Sequence, residues 1–237
     1  MSALIRYQAA VLLRSNRWIF PLIAYGALIA AGAAASTPLA EGLDWSAAML
    51  VPVVAFLTRS MLMAEPDASR ACVAAAAGPA RAQLATLLAA LGGGIVLGAV
   101  GAVFTLLTSE PAGPHPQPGV GGRVTATFHY PGVFVAGLLT AVVCLLVGSA
   151  VGALCNPPLL RHPGAAALAT LAVVIVALAA GISPANAALR HGGIGGTGAV
   201  SAANWPGAVP LLAAAALLAV TWTASVLAAT RRERSLG

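Results

Sequence analysis

The sequence predicts an all-α polytopic membrane protein, a single domain with six membrane-crossing helices. Hydrophobic residues make up 59% of the 237 residues and charged residues only 8%, which does not suit the surface of a soluble domain. Apolar runs without charge recur along the chain, and each is near the roughly 20 residues that a helix needs to cross a bilayer. All twelve basic residues are arginine, and most of them lie beside these runs. These observations together predict an integral membrane protein.

The first element is an amphipathic helix over residues 2–17, which we expect to lie in the membrane interface. An apolar stripe runs along one side of it from Leu4 to Trp18, and arginine lies on the opposite side. The residues predicted at the membrane interface are Arg6, Arg14, Arg17 and Trp18. A cleaved signal peptide is the alternative, but this segment is long for the charged region of such a peptide.

Six apolar segments predict the membrane spans. They cover about residues 18–36, 45–64, 84–108, 132–155, 164–182 and 207–229. Glu41 and Asp44 predict a short acidic loop between the first two spans. Arg59 lies about one turn from the end of the second span, so we expect its side chain to extend to the interface.

Small residues at a spacing of four predict two helix-packing faces. Gly94-x-x-x-Gly98 lies in the third span and Gly148-x-x-x-Gly152 in the fourth. Glycine at such positions lets two helix backbones approach closely. We therefore expect both spans to pack against neighbouring helices at these glycines.

The segments outside the membrane carry no pattern of a metal or nucleotide site. Residues 109–131 are rich in Pro and Gly and predict an irregular loop, in which His115 and His129 are solvated and have no companion ligands. The three cysteines lack CxxC spacing, which argues against a zinc site. The string from Gly193 to Gly198 matches a dinucleotide fingerprint, but no strand precedes it.

A polar segment from Arg59 to Arg81 interrupts the apolar first half of the chain and predicts a short helix over residues 66–77. Pro66 suits the start of a helix, Asp67 complements the positive helix end, and Gly78-Pro79 is a stop. Its charged side chains are Glu65, Asp67, Arg70 and Arg81. Two interpretations stay open, a solvated connector between two spans and a docking element for a cytosolic partner.

The distribution of arginine predicts the orientation. With six spans and the N-terminus inside, ten arginines lie in cytosolic segments or span ends and two lie outside. Both termini are therefore expected in the cytosol of a bacterial cell, with the chain in the plasma membrane. The net charge of +6 then reflects topology and anionic lipid head groups, so we expect no nucleic-acid partner.

Several activities do not fit these residues. The chain contains no lysine, so it cannot form a GxxxxGK[ST] phosphate-binding loop, and we expect no ATPase activity from this chain alone. No predicted span contains a histidine that would activate a nucleophile, which argues against an intramembrane enzyme. Arg59 is the only ionisable group within the predicted spans, which argues against coupling to protons or sodium. Any transport would then draw its energy from another chain.

The layout resembles a membrane subunit of an ABC-2 type ABC transporter. The resemblance rests on the interfacial helix RYQAAVLLRSNRW, on six spans with both ends inside, and on the connector TRSMLMAEPDASRACVAAAAGPARAQLA. It implies a second membrane subunit, like or unlike, and cytosolic ATPase subunits that bind ATP and Mg²⁺. It also implies that the connector forms a coupling helix that contacts the ATPase through Glu65, Asp67, Arg70 and Arg81. The chain differs from larger relatives in having no big extracellular domain.

The function implied by this resemblance is export of an amphipathic or lipophilic substrate, since Ala, Val, Leu and Gly line the predicted spans. The substrate would pass by alternating access or by a transient lateral path between two subunits. The alternative from another class is a membrane component that transports nothing, such as an anchor, an immunity protein or an assembly factor.

Overall fold

The computed structural model describes residues 2–16, 18–33, 39–109, 131–155, 163–192 and 208–234. These residues form helices joined by short turns, and no β-strand occurs among them. The helices are α1 (Ser2–Arg14), α2 (Ile19–Ala33), α3 (Leu39–Leu62), α4 (Asp67–Ala77), α5 (Pro79–Thr108), α6 (Pro131–Leu154), α7 (Pro163–Ala179), α8 (Pro184–Gly192) and α9 (Ala208–Arg234).

Four of these helices, α3, α5, α6 and α9, are long and apolar enough to cross a membrane. The helices α7 and α8 form a pair bent by 42°, which gives a fifth crossing if the pair is one span. The helix α2 is apolar but has only 15 residues. The prediction of an all-helical chain that fits a multi-pass membrane protein is thus confirmed, whereas six crossings stay a prediction.

The helix α3 lies at the centre of the bundle, and its closest partner is α6. A Cβ atom on Gly148 would lie 2.7 Å from the carbonyl oxygen of Val51, and one on Gly152 would lie 2.6 Å from that of Ala55. Both distances are far below van der Waals contact, so only glycine permits this approach. The packing face predicted at Gly148-x-x-x-Gly152 is therefore confirmed.

The helix α5 packs against both α3 and α6 through the predicted motif Gly94-x-x-x-Gly98. A Cβ atom on Gly94 would lie 2.6 Å from Leu145 Cδ1 of α6, and one on Gly98 would lie 3.3 Å from Leu50 Cδ2 of α3. These neighbours are side chains rather than backbone, so the constraint is weaker here than between α3 and α6. The order of the contacts shows that α5 runs antiparallel to α3, whereas α6 runs parallel to it.

One end of the bundle gathers elements that are far apart in sequence. Trp222 of α9 packs against a cluster formed by Leu62, Leu87 and Ala153, near the end of α3, the start of α5 and the end of α6. Gln83 Nε2 donates a hydrogen bond to Ser225 Oγ of α9 over 3.0 Å. We call this end, which also carries α4, the connector end, and the opposite end, with Leu39, Thr108 and Ala208, the far end.

The predicted acidic loop is wrong, because α3 begins at Leu39 and includes both acidic residues. Glu41 lies in the first turn, where a negative charge stabilises the helix end. Asp44 is 1% exposed and lies inside the bundle. Asp44 is thus a carboxyl group within a candidate span, so the expectation that Arg59 is the only ionisable group there, which counted against coupling to ions, is wrong.

Three further expectations differ from the structure. The side chain of Arg59 is 5% exposed, so it lies inside the protein rather than extending to the interface. The helix α1 ends at Arg14 instead of residue 17, because Asn16 adopts a left-handed conformation with φ 52° that turns the chain. The helix α8 lies between the fifth and sixth predicted spans, where no helix is predicted, and its Ala185, Ala188 and Leu189 are buried.

The loop predicted at 109–131, with His115 and His129, lies almost wholly outside the described residues. The string from Gly193 to Gly198 lies outside them as well.

Candidate functional site

The helix α4 has the bounds that the sequence predicts, within one residue. Pro66 occupies the N-cap position with φ −58° and ψ 146°, and the alanine-rich stretch that follows has high helix propensity. Gly78 ends the helix with φ 86°, and its N–H donates to the carbonyl oxygen of Ala74 over 2.8 Å. Pro79 then starts α5 directly. A single residue, Gly78, therefore separates α4 from a helix long enough to span the membrane.

The guanidinium group of Arg70 turns back toward α3. Its Nη2 donates to the carbonyl oxygen of Leu62, the last residue of α3, and to that of Glu65 over 3.5 Å. Carbonyls at the end of a helix lack partners within the helix, and arginine is a donor that suits them. Arg70 thus connects α4 to the end of α3 by hydrogen bonds.

The carboxylate of Glu65 binds α1. The hydroxyl of Tyr7 donates to Oε1 over 3.3 Å, and Nε2 of Gln8 donates to Oε2 over 3.2 Å. Glu65 is 9% exposed and Gln8 2% exposed, so this contact is largely shielded from water. Hydrogen bonds to a charged group stabilise by about 1.5 to 3 kcal/mol. Glu65 therefore joins the N-terminal helix to the connector.

The phenol of Tyr7 is a neutral donor in this contact. Removal from water and the negative charge of Glu65 both raise the pKa of Tyr7 above its ordinary value. Because the pKa of Tyr7 is raised in the folded protein, the hydrogen bond from Tyr7 to Glu65 contributes its full stabilisation below the ordinary pKa of tyrosine. This stabilisation is lost as the pH rises through the raised pKa. Tyr7 therefore keeps the proton that it donates to Glu65 at neutral pH.

The side of α1 that faces the bundle carries Ile5, Gln8 and Leu12. Ile5 and Leu12 pack against a cluster that contains Met61 of α3 and residues of α5. The predicted apolar stripe, from Leu4 through Tyr7 to Trp18, is therefore rotated about the helix axis by about one residue relative to the side that faces the bundle. Tyr7 is 40% exposed and Leu13 64% exposed, so α1 keeps apolar surface on its outer side for a membrane interface.

The described residues among those predicted at the membrane interface lie at positions that permit this role. Arg6 and Arg14 are exposed on α1. Trp18 is half-buried, and its Nε1 donates to the carbonyl oxygen of Leu13 over 3.3 Å. Arg17 lies outside the described residues. The interfacial role of these four residues stays a prediction.

The residues predicted to contact an ATPase divide into two groups. Glu65 and Arg70 bind within the chain, which differs from the outward orientation expected of contact residues. Arg81 is exposed on the first turn of α5. The side chain of Asp67 is outside the described part of the structure. Glu65 and Arg70 thus position the connector, while Arg81 is available to a partner.

The solvent-facing side of α4 consists of small residues. We call it the α4 outer face, and it comprises Ala68, Ala71, Cys72, Ala75 and Ala76. Among the α4 residues whose burial the structure describes, Ala74 alone is buried. Small side chains let another protein surface come close to the helix backbone, as they do between packed helices.

A cavity of about 40 Å³ lies behind α4, between it and the ends of α3, α5 and α9. Glu65, Arg70, Gln83 and Thr86 contribute polar groups to its lining. Such a space holds roughly one to three water molecules, so it is too small for a transported substrate. The cavity is therefore a part of the packing around the connector and not a substrate path.

Neither metal ligands nor related proteins indicate a family or a cofactor for the chain. Within the residues that the structure describes, no group of His, Cys, Asp and Glu side chains is arranged to hold a metal ion. Comparison of the chain with protein-family models, with curated proteins and with solved structures finds no match. The geometry of the connector end is therefore the main indication of a function.

Proposed function

We propose that this chain is the membrane-spanning permease subunit of an ATP-driven transporter, and that a separate cytosolic ATPase subunit docks on the α4 outer face. The observation that carries the proposal is the position of α4. It is a short helix outside the candidate spans, with one side fastened to the bundle and the other exposed. The partner would bind the ATP and Mg²⁺.

The connections of α4 suit a helix that transmits movement. Arg70 joins it to the last carbonyl of α3, and Gly78 alone separates it from α5. The helix α3 lies in the centre of the bundle, and α5 packs against it through contacts that leave little free volume. A displacement of α4 by a partner would therefore reach two candidate spans directly. Glu65 would pass the same displacement to α1.

Arg81 and Asp67 are the charged residues that we assign to the partner contact. Arg81 is exposed beside the α4 outer face, and Asp67 is the first residue of α4. Glu65 and Arg70 act indirectly in this account, because their hydrogen bonds hold α4 in the position that a partner would meet.

The arginines support an orientation with the connector end in the cytosol. Those at or near this end are Arg6, Arg14, Arg59, Arg70, Arg81 and Arg231. Arg190 lies on α8, which packs against the half of α3 that contains Ala47 and Ala48. An excess of arginine marks the cytosolic side of a bacterial plasma membrane protein.

A second membrane subunit, like or unlike, completes the proposed transporter. Apolar side chains are exposed along α5, among them Val96 at 63% and Val103 at 56%. Surfaces of this kind are available to lipid or to a second subunit. The apolar spans favour an amphipathic or lipophilic substrate, moved along a path between the two subunits.

A bulky residue on the α4 outer face tests the proposal. Ala75→Trp should block close approach of an ATPase, and a loss of about 1.4 kcal/mol already weakens association tenfold. The measurement is ATP hydrolysis that co-purifies with the tagged chain from native membranes. The matched control is Ala213→Trp, since Ala213 is exposed on α9 away from the connector end.

We expect the Ala75→Trp preparation to lose most of the ATPase activity and the Ala213→Trp preparation to keep it. Equal activity in both would contradict docking on the α4 outer face. A native preparation with no ATPase would favour the non-transporting anchor, immunity or assembly component instead.

A further inference from the structure

Asp44 is the first residue of an α3 stripe that faces the main apolar core. Ala47, Ala48, Val51 and Ala55 follow it at helical spacing, so all five lie on one side of α3. The four apolar residues belong to a buried cluster that includes residues of α6 and α8. Asp44 is itself 1% exposed. A carboxyl group is therefore enclosed at the end of this core that lies nearer the far end.

One oxygen of this carboxyl group lacks a hydrogen bond. Oδ2 is buried, and no group in the described part of the structure donates to it. An ionised carboxylate that is buried without a partner is so unfavourable that it is neutralised, either by a cation or by a proton. The question is which of the two neutralises Asp44.

Among the described residues, the groups around Asp44 supply no positive charge in contact with it. Glu41, one turn earlier on α3, is exposed and acidic. Cys144 of α6 is buried within electrostatic range. The hydroxyl of Tyr25 on α2 donates to the carbonyl oxygen of Ser46 over 3.2 Å. None of these groups is cationic.

The basic residues on the helices packed against α3 lie elsewhere. Arg190 of α8 is exposed, and the side chain of His191 is outside the described part. Arg81 begins α5 at the connector end. Arg59 is fifteen residues further along α3, about 22 Å away at the rise of an α-helix. None of the basic residues whose side chains the structure describes therefore explains the burial of Asp44.

We propose that Asp44 is a proton-binding site within the bundle, and that its carboxyl group carries an exchangeable proton in the arrangement described. A proton needs no further ligands, whereas a metal ion needs a set of them, and the described His, Cys, Asp and Glu side chains form no such set. The proton leaves when α3, α6 and α8 separate enough for water to reach the carboxyl group. The site is independent of whether ATP drives transport.

Dicyclohexylcarbodiimide, an apolar reagent that modifies protonated carboxyl groups, tests this site. The acid transfers its proton to a nitrogen of the carbodiimide, and a carboxyl oxygen bonds to its central carbon. The adduct rearranges to a stable N-acylurea, and no atom is lost. In the intact chain in membranes, mass spectrometry should find the adduct on Asp44 at neutral pH, with less of it as the pH rises. Asp44→Asn should lose the adduct, and Glu41→Gln should keep it.

The melting temperature provides a second signature. A carboxyl group that holds its proton in the folded protein stabilises less as the pH rises, because the unfolded chain releases that proton more readily. The melting temperature of the native chain should therefore fall with rising pH more steeply than that of Asp44→Asn, which has the same shape and no acid. Either signature supports the proton site. An unmodified Asp44 together with parallel melting curves would overturn it.

Discussion

Replacing Gly152 with valine is expected to separate α3 from α6 and to lower the free energy of unfolding by about 3 kcal/mol, near the upper end for overpacked cores. A Cβ atom at this position would lie 2.6 Å from the carbonyl oxygen of Ala55 and 2.7 Å from Cβ of Thr58. Backbone atoms cannot move aside as the end of a side chain does. The two helices that pack most closely must therefore shift apart.

Gly92→Val is the matched control for this change. It places the same side chain within a long apolar helix, α5, where nothing lies within 4 Å of the new Cβ atom. The measurement is the melting temperature of both variants in detergent, together with the fraction that elutes as folded protein. We expect a large loss for Gly152→Val and almost none for Gly92→Val. Equal melting of the two variants would mean that α3 and α6 do not approach as closely as the structure shows.

Replacing Glu65 with alanine is the second change with a large expected effect. It removes the acceptor of Tyr7 and Gln8 and leaves the largely buried amide of Gln8 without this partner. The expected cost is about 2 to 3 kcal/mol, because an unsatisfied buried donor adds to the loss of charge-assisted bonds. This cost falls on the contact between α1 and the connector, so α1 should detach before the bundle unfolds.

Limited trypsin digestion measures that detachment, since Arg14 is exposed at the end of α1. Cleavage after Arg14 should be faster in Glu65→Ala than in the native chain, and the partner ATPase should co-purify less. Glu41→Ala is the control, because Glu41 is an exposed carboxylate on the first turn of α3 and makes no comparable contact among the described residues. Identical digestion of the two variants would show that Glu65 does not hold α1.

The connector was predictable because its signals are local. Pro66 and Gly78-Pro79 bracket an alanine-rich stretch, and each acts on the backbone within a few residues. The glycine pairs were predictable for a related reason, since the spacing itself implies a packing face. Which helix meets each face was not predictable, because that depends on the arrangement of the whole bundle.

The contacts of Glu65 could not be predicted from the sequence. Its partners Tyr7 and Gln8 are 58 and 57 residues away, and no pattern links them before the helices pack. The charge of Glu65 therefore suggested an exposed residue that contacts a partner, whereas in the folded chain its carboxylate binds Tyr7 and Gln8 of α1. The burial of Asp44 carried a weak signal, namely its helical spacing to Ala47, Ala48 and Val51. A hydropathy criterion for the start of the second span places the carboxylate of Asp44 outside that span, so the helical spacing was not recognised.

The docking of an ATPase on α4 is the central claim, and cross-linking from Cys72 tests it most directly. Cys72 is exposed on the α4 outer face, whereas Cys144 and Cys155 are buried, so a thiol reagent should attach at Cys72 in the native sequence. A benzophenone maleimide attached there in native membranes and then irradiated should bond to whatever protein lies against α4. The matched control attaches the same reagent to Glu41→Cys in a Cys72→Ser chain, which moves it to the far end.

We predict that the adduct from Cys72 contains a protein with a GxxxxGK[ST] sequence that binds ATP, and that the adduct from position 41 does not. A charged maleimide that does not cross membranes should also reach Cys72 only in opened membranes, because the connector end faces the cytosol in our account. Cross-links from Cys72 to lipid alone, or to the same proteins as from position 41, would contradict the claim that α4 docks an ATPase.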